Sequence, residues 1–203
     1  MHISEGVLSA PTLIAGAVLT FIGIAIGLRN IGNDHIPKVA VLSSAFFVAS
    51  LIHVPIGPSS AHLVLNGLVG MLLGWAAFPS IFISLLLQAV LFQFGGITTL
   101  GVNTFAMAMP AVICHYLFRK MFLRGKNLAL LGGFLGGSLS LIIAALFIGI
   151  ALVETDKSLF AVAGTVLAVH LPIALVEGVI TAFVVVYLKK VKPEVLNWKK
   201  NSD

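Results

Sequence analysis

The sequence predicts an all-α integral membrane protein. The expected form is a bundle of about seven transmembrane helices, N-terminus outside and C-terminus cytoplasmic, in one domain over residues 1–203. Three observations predict it. Of 203 residues, 59% are hydrophobic and only 9% charged, with a mean hydropathy of +1.12. A soluble domain carries about 25% charged residues, so this chain lacks the groups to cover a water-facing surface. Several apolar runs approach the ~20 residues needed to cross a hydrocarbon layer of ~30 Å. Finally, with seven spans and an outer N-terminus, eleven of the twelve basic residues fall on the inner side, and only Lys157 lies outside. That asymmetry is the positive-inside pattern. It accounts for the net charge of +5 without nucleic acid. A cytosolic enzyme, a disulfide scaffold and a disordered chain are excluded. The single cysteine, Cys114, permits no internal disulfide and reads as a small apolar residue.

The segments follow in order. The first covers 6–28 and stops at Arg29; the second is short, 39–52. The third covers 61–78 and stops at Pro79. The fourth, 80–94, ends at Gly95-Gly96. The fifth, sixth and seventh cover 103–118, 128–153 and 159–188. Residues 53–60 contain Pro55, Gly57 and Pro58 and are not expected to be helical. Residues 95–104 form a second, glycine-rich break. Irregular backbone at membrane depth survives only where it is buried in protein or lines a cavity, so both breaks are candidate walls of a site. The start, Met-His-Ile-Ser-Glu, lacks a basic n-region, so the first span is expected to stay in the mature chain. Residues 191–203 read as a short basic cytoplasmic tail.

Small residues mark packing faces. Gly16, Thr20, Gly23 and Gly27 share one side of the first span. Ala45/Ala49, Gly132/Gly136 and Gly133/Gly137 are each four apart. Such faces serve packing within the chain or docking to a partner membrane subunit.

The chain shows no HExxH, no G-x-S-x-G elbow and no phosphate-cradling G-x-x-x-x-G-K-[ST]. It is therefore not read as an enzyme, and no ATPase motif is present to energise transport. The polar inventory centres on six histidines. His2, His53 and His62 fall toward the outer face; His35 and His115 read as interfacial. His170 lies two helical turns before Glu177, so the two share a face, and ionisable groups inside a span are functional candidates by default. They form an intramembrane polar pair, either structural or functional.

A histidine in second position makes the N-terminus a chelator. The Met1 amine and the next amide nitrogen close a five-membered ring on a metal. That amide and His2 Nδ1 close a six-membered ring. Three nitrogens then share a plane and one more imidazole completes a square, a donor set suited to Ni(II), Cu(II) or low-spin Co(II). The fourth ligand would come from His53, read as ending a helix, or His62, read as opening one.

Residues 1–9, MHISEGVLS, are similar to the start of the CbiM/NikM family. Residues 53–67, HVPIGPSSAHLVLNG, 91–104, LFQFGGITTLGVNT, and 170–178, HLPIALVEG, also resemble it. The four motifs lie in order over almost the whole chain. The resemblance implies a seven-helix substrate-capture component of an energy-coupling-factor transporter for nickel or cobalt. It implies a metal site of Met1, His2 and His62, no prosthetic group, and Ni²⁺ or Co²⁺ as cargo. The implied partners are a transmembrane coupling subunit, ATP-binding cassette ATPase subunits and a small accessory membrane subunit, in a prokaryotic cell (inner) membrane. Some members carry Gly-Gly where this chain has Gly57-Pro58. His53, Gln93 and Asn103 are candidates for orienting the ligands by hydrogen bonds, or for capping short helices. Two rival readings stay open. One is a stand-alone proton-coupled metal transporter relaying through His170 and Glu177. The other is a non-transporting membrane scaffold.

Overall fold

The computed structural model describes residues 2–51, 53–56, 59–122 and 124–196; for 53–56 and 59–61 it describes the backbone alone. The described residues contain seven α-helices and one two-stranded ribbon. In chain order these are α1 (Ala10–Leu28), α2 (Ile36–Ala49), β1 (His53–Ile56), β2 (Ser59–His62), α3 (Asn66–Leu73), α4 (Ala77–Phe92), α5 (Leu100–Phe122), α6 (Lys126–Thr155) and α7 (Phe160–Val191). Five helical stretches are long and apolar enough to cross a membrane: Ala10–Leu28, Asn66–Phe92, Leu100–Phe122, Lys126–Thr155 and Lys157–Val191. The 14-residue α2 is shorter than these.

The second of these stretches changes direction. Along α3 the contacts keep step with α5: Asn66 meets Met107, Gly70 meets Ala111 and Gly74 meets His115. The two helices therefore run the same way. At Gly74, with φ +55°, the chain enters a backbone region L side chains rarely adopt. After the 3₁₀ turn Gly74–Ala76, α4 returns beside α1, with Phe78 against Gly23 and Pro79 against Gly27. The third segment expected over 61–78 is thus cut on both sides. A strand occupies its start, and a reversal its end.

The other pairings give alternating directions. Ser43 on α2 and Ser50 just after it bond Ser80 and Gln88 on α4, so these two helices run in parallel. Phe105 stacks on Phe147, and Gly132 faces Phe122, so α5 and α6 are antiparallel. Gly133 abuts Ala182 and Gly137 abuts Thr181, so α6 and α7 are antiparallel too. One end of the bundle then carries residues 2–9, the ribbon and the 93–99 loop. The opposite end carries 29–35, the Gly74–Ala76 turn and 124–125.

Packing is reversed relative to a soluble globule. Phe21, Phe160 and Phe183 are exposed, whereas Asn66, His170, Glu177 and Thr181 are fully or almost fully buried. Lipid supplies no hydrophobic drive between helices, so close backbone approach and internal hydrogen bonds do the work. The four buried residues of α1 are Gly16, Thr20, Gly23 and Gly27, the face read from spacing; they touch α4 and α5 of the same chain.

Candidate metal site

The N-terminal segment threads into the bundle rather than lying on it. Ile3 is fully buried. Asn103 clasps its backbone at both ends: the Ile3 amide donates to Asn103 Oδ1 at 2.9 Å, and Asn103 Nδ2 donates to the Ile3 carbonyl at 3.1 Å. Thr99 Oγ1 donates to the same carbonyl at 2.9 Å. Further out, the Glu5 carboxylate accepts from the hydroxyl of Thr98 and, at 3.0 Å, from its amide. These bonds hold its carboxyl below the usual carboxylate range. At Gly95, φ is +75°, and a Cβ there would lie 3.4 Å from His2 Cβ and 3.2 Å from Asn103 Nδ2. Glycine thus meets a backbone and a space requirement at one position.

His62 comes from the other side. It ends β2, in register with His53 on β1. His62 therefore does not open a helix, since α3 starts at Asn66, and His53 does not end one, since α2 stops at Ala49 and His53 begins β1. His62 Nδ1 lies 2.9 Å from the Leu63 carbonyl. A carbonyl only accepts, so Nδ1 carries the proton and the neutral ring keeps its lone pair on Nε2. That Nε2 faces His2 Nδ1 at 3.0 Å, with the rings stacked at a centroid distance of 4.7 Å. Both histidines are buried. A neutral imidazole with a free lone pair on Nε2 is the form that ligates a metal.

The spacing suits a shared ion. Two nitrogens each ~2.0 Å from one metal lie about 2.8 Å apart at a right angle and about 3.3 Å apart in a tetrahedron. The observed 3.0 Å falls between these. Among the described residues no three His, Cys, Asp or Glu side chains converge on one point. A metal between the two rings would draw further donors from elsewhere, as backbone and terminal nitrogens would supply. Met1 lies outside the described residues, as does the His53 side chain.

The remaining candidates separate. Asn103 is part of the site through the Ile3 backbone; it falls within α5, not in the break preceding it. Gln93 sits exposed at the end of α4 with φ +57°, a capping position. His170 is buried, and its Nδ1 lies 2.6 Å from the Val166 carbonyl. Glu177 is buried and bonds the backbone of Val64 and Leu65. His115, read as interfacial, is buried where α3 reverses, with Nδ1 2.9 Å from the Met71 carbonyl. Sequence reasoning passed over Thr98 and Thr99; their place in the 91–104 motif was the available signal.

A clasp of this kind has a measurable consequence. Asn103→Ala should leave the bundle folded yet weaken metal binding about tenfold, the lower range for losing an outer-shell partner. Titration of the purified variant beside the parent protein checks this. Unchanged affinity would free the site from the clasp.

A polytopic apolar bundle that buries two facing imidazoles near one end is a membrane protein with a candidate metal site. Comparison with known proteins gives its family. Residues 2–195 match the model of the CbiM family, the cobalt uptake substrate-specific transmembrane region. The chain is 44% identical over 209 residues to a Haemophilus influenzae protein to which metal transport is ascribed, covering 99% of each. It is 32% identical to the cobalt transport protein CbiM of Kyrpidia tusciae, covering 99% of this chain and 88% of that one. It is 29% identical to the fused nickel transport protein NikMN of Rhodobacter capsulatus, covering 97% of this chain and 64% of that one. A solved transition metal transporter superposes with a TM-score of 0.71 at 28% identity, over 94% of this chain and 93% of that one. The chain belongs to the CbiM family. It is a cobalt or nickel transport protein, multi-pass, of the cell membrane.

Proposed function

We propose that this chain is the substrate-capturing subunit of an energy-coupling-factor transporter that imports Ni²⁺ or Co²⁺. The ion is taken at an outward-facing nitrogen chelate of Met1, His2 and His62. One observation carries the reading: His2 Nδ1 and His62 Nε2 face each other at 3.0 Å in a buried position. The end of the bundle bearing them faces out. The opposite end faces the cytoplasm, a reading supported by the basic residues within 29–38, 119–126 and 189–192. On this reading the seven helices make seven crossings, with the ribbon completing the traverse that α3 is too short to make. Energy comes from partner subunits: a transmembrane coupling protein, ABC-type ATPases and a small accessory membrane protein. A nickel transport relative in which this region is fused to further sequence favours such partnering.

The test is titration with Ni²⁺ and Co²⁺ of protein whose N-terminus is native, beside a version with two residues added before Met1. One equivalent bound by the first, lost on extension, is the expected result. Because amine and amide must lose protons to ligate, affinity falls as pH falls. Equal binding by both versions would remove Met1 from the site.

A further inference from the structure

Glu177 lies on α7, in a part of the chain 113 residues from Val64, and is fully buried. Its Oε1 accepts the amide protons of both Val64 and Leu65, the latter at 3.0 Å. These residues follow His62 closely, and Leu65 is held at φ +58°. That is a conformation which costs a residue with a Cβ of order 1–3 kcal/mol and persists only where its surroundings over-determine it. Two successive backbone N–H groups turned onto one carboxylate oxygen form an anion-holding concavity. The platform beneath is stiff. Gly137 and Gly178 bring α6 and α7 into backbone contact around Glu177, and Ser138 Oγ donates to the Ala174 carbonyl at 2.8 Å.

From this geometry we infer that Glu177 is a positioning residue for the ion: its carboxylate fixes the turn after His62, and so aims His62 Nε2 at His2. The role is distinct from a proton relay with His170. It ties the captured ion to α7 through three bonded links: His62, the Val64–Leu65 backbone, and Glu177. It rests on the capture reading above.

The test is a Ni²⁺ titration series on detergent-purified, native-N-terminus protein. Glu177→Ala should weaken binding ~10–100-fold, as for outer-shell partners of metal sites, and shift the absorption band of bound Ni²⁺ toward that of His62→Ala. In the His62→Ala background the same change should add nothing. Glu177→Gln keeps an acceptor oxygen at full reach and should bind within about threefold of the parent, a margin of ordinary context dependence. Glu177→Asp keeps the charge but falls one methylene short, and should behave like the alanine variant. It also serves if the alanine variant does not fold. Equal losses from Glu177→Ala in both backgrounds would overturn the assignment. So would an unshifted band, or a working aspartate beside a failing glutamine. If the parent protein binds no Ni²⁺, the capture reading falls and this role with it. If the parent binds and the variants depart from this pattern, only the role of Glu177 falls.

Discussion

His62→Ala should abolish tight cargo binding while the bundle stays folded. The substituted side chain ends the ribbon and lies in none of the seven helices, so unfolding of the purified protein should change little. Its loss removes the imidazole nitrogen that faces His2 Nδ1 at 3.0 Å. Replacing outer partners of a metal site already costs ~10–100-fold, so removing a ligand should cost at least about 100-fold. Direct titration with Ni²⁺ and Co²⁺ checks the affinity, and a thermal melt without metal checks the fold. Retained affinity would move the fourth donor to His53 or His170.

The second large effect is on stability. Gly67 opens α3 directly against α6. A Cβ at this position would sit 2.6 Å from Gly137 Cα and 2.9 Å from the Gly136 carbonyl, both backbone atoms that cannot swing aside. Gly67→Val should therefore destabilise by about 3 kcal/mol, the upper range for overpacking. The readout is a lowered apparent melting temperature in detergent. The same displacement pushes the Asn66 end of α3, where Asn66 Nδ2 donates to Met107 at 3.2 Å. Metal binding should weaken alongside. An unchanged melt would mean that α3 sits further from α6 than these contacts require.

Much of this is legible in the amino-acid sequence alone. Apolar runs and basic loops identified a helical membrane bundle, because lipid admits few other solutions. The small-residue face of α1 was readable because a single helical period defines it. His2 stood out because second-position histidine chemistry is local. The fate of residues 61–78 was not legible. Their hydropathy suits a continuous helix; what breaks it is the left-handed Gly74 and the distant carboxylate beneath Leu65. His170 and Glu177 share a face, as spacing requires. Spacing along one helix cannot show that Glu177 grips the backbone of another element while His170 is bonded to Val166. Asn103 was a candidate, but its partner, the backbone of Ile3, is 100 residues away. The pairing is a property of the packed bundle.

The site is stitched from the two ends of the chain: Ile3 to Asn103, and the loop beside His62 to Glu177. This sets a sequence of events at the ribosome. When the first span enters the membrane, the receptor for Ile3 on α5 does not exist. The carboxylate under the His62 turn arrives last, with α7. On the capture reading, both supports of the site are in place only after α7 has been made and inserted, so tight loading of the ion belongs to the end of assembly rather than its beginning.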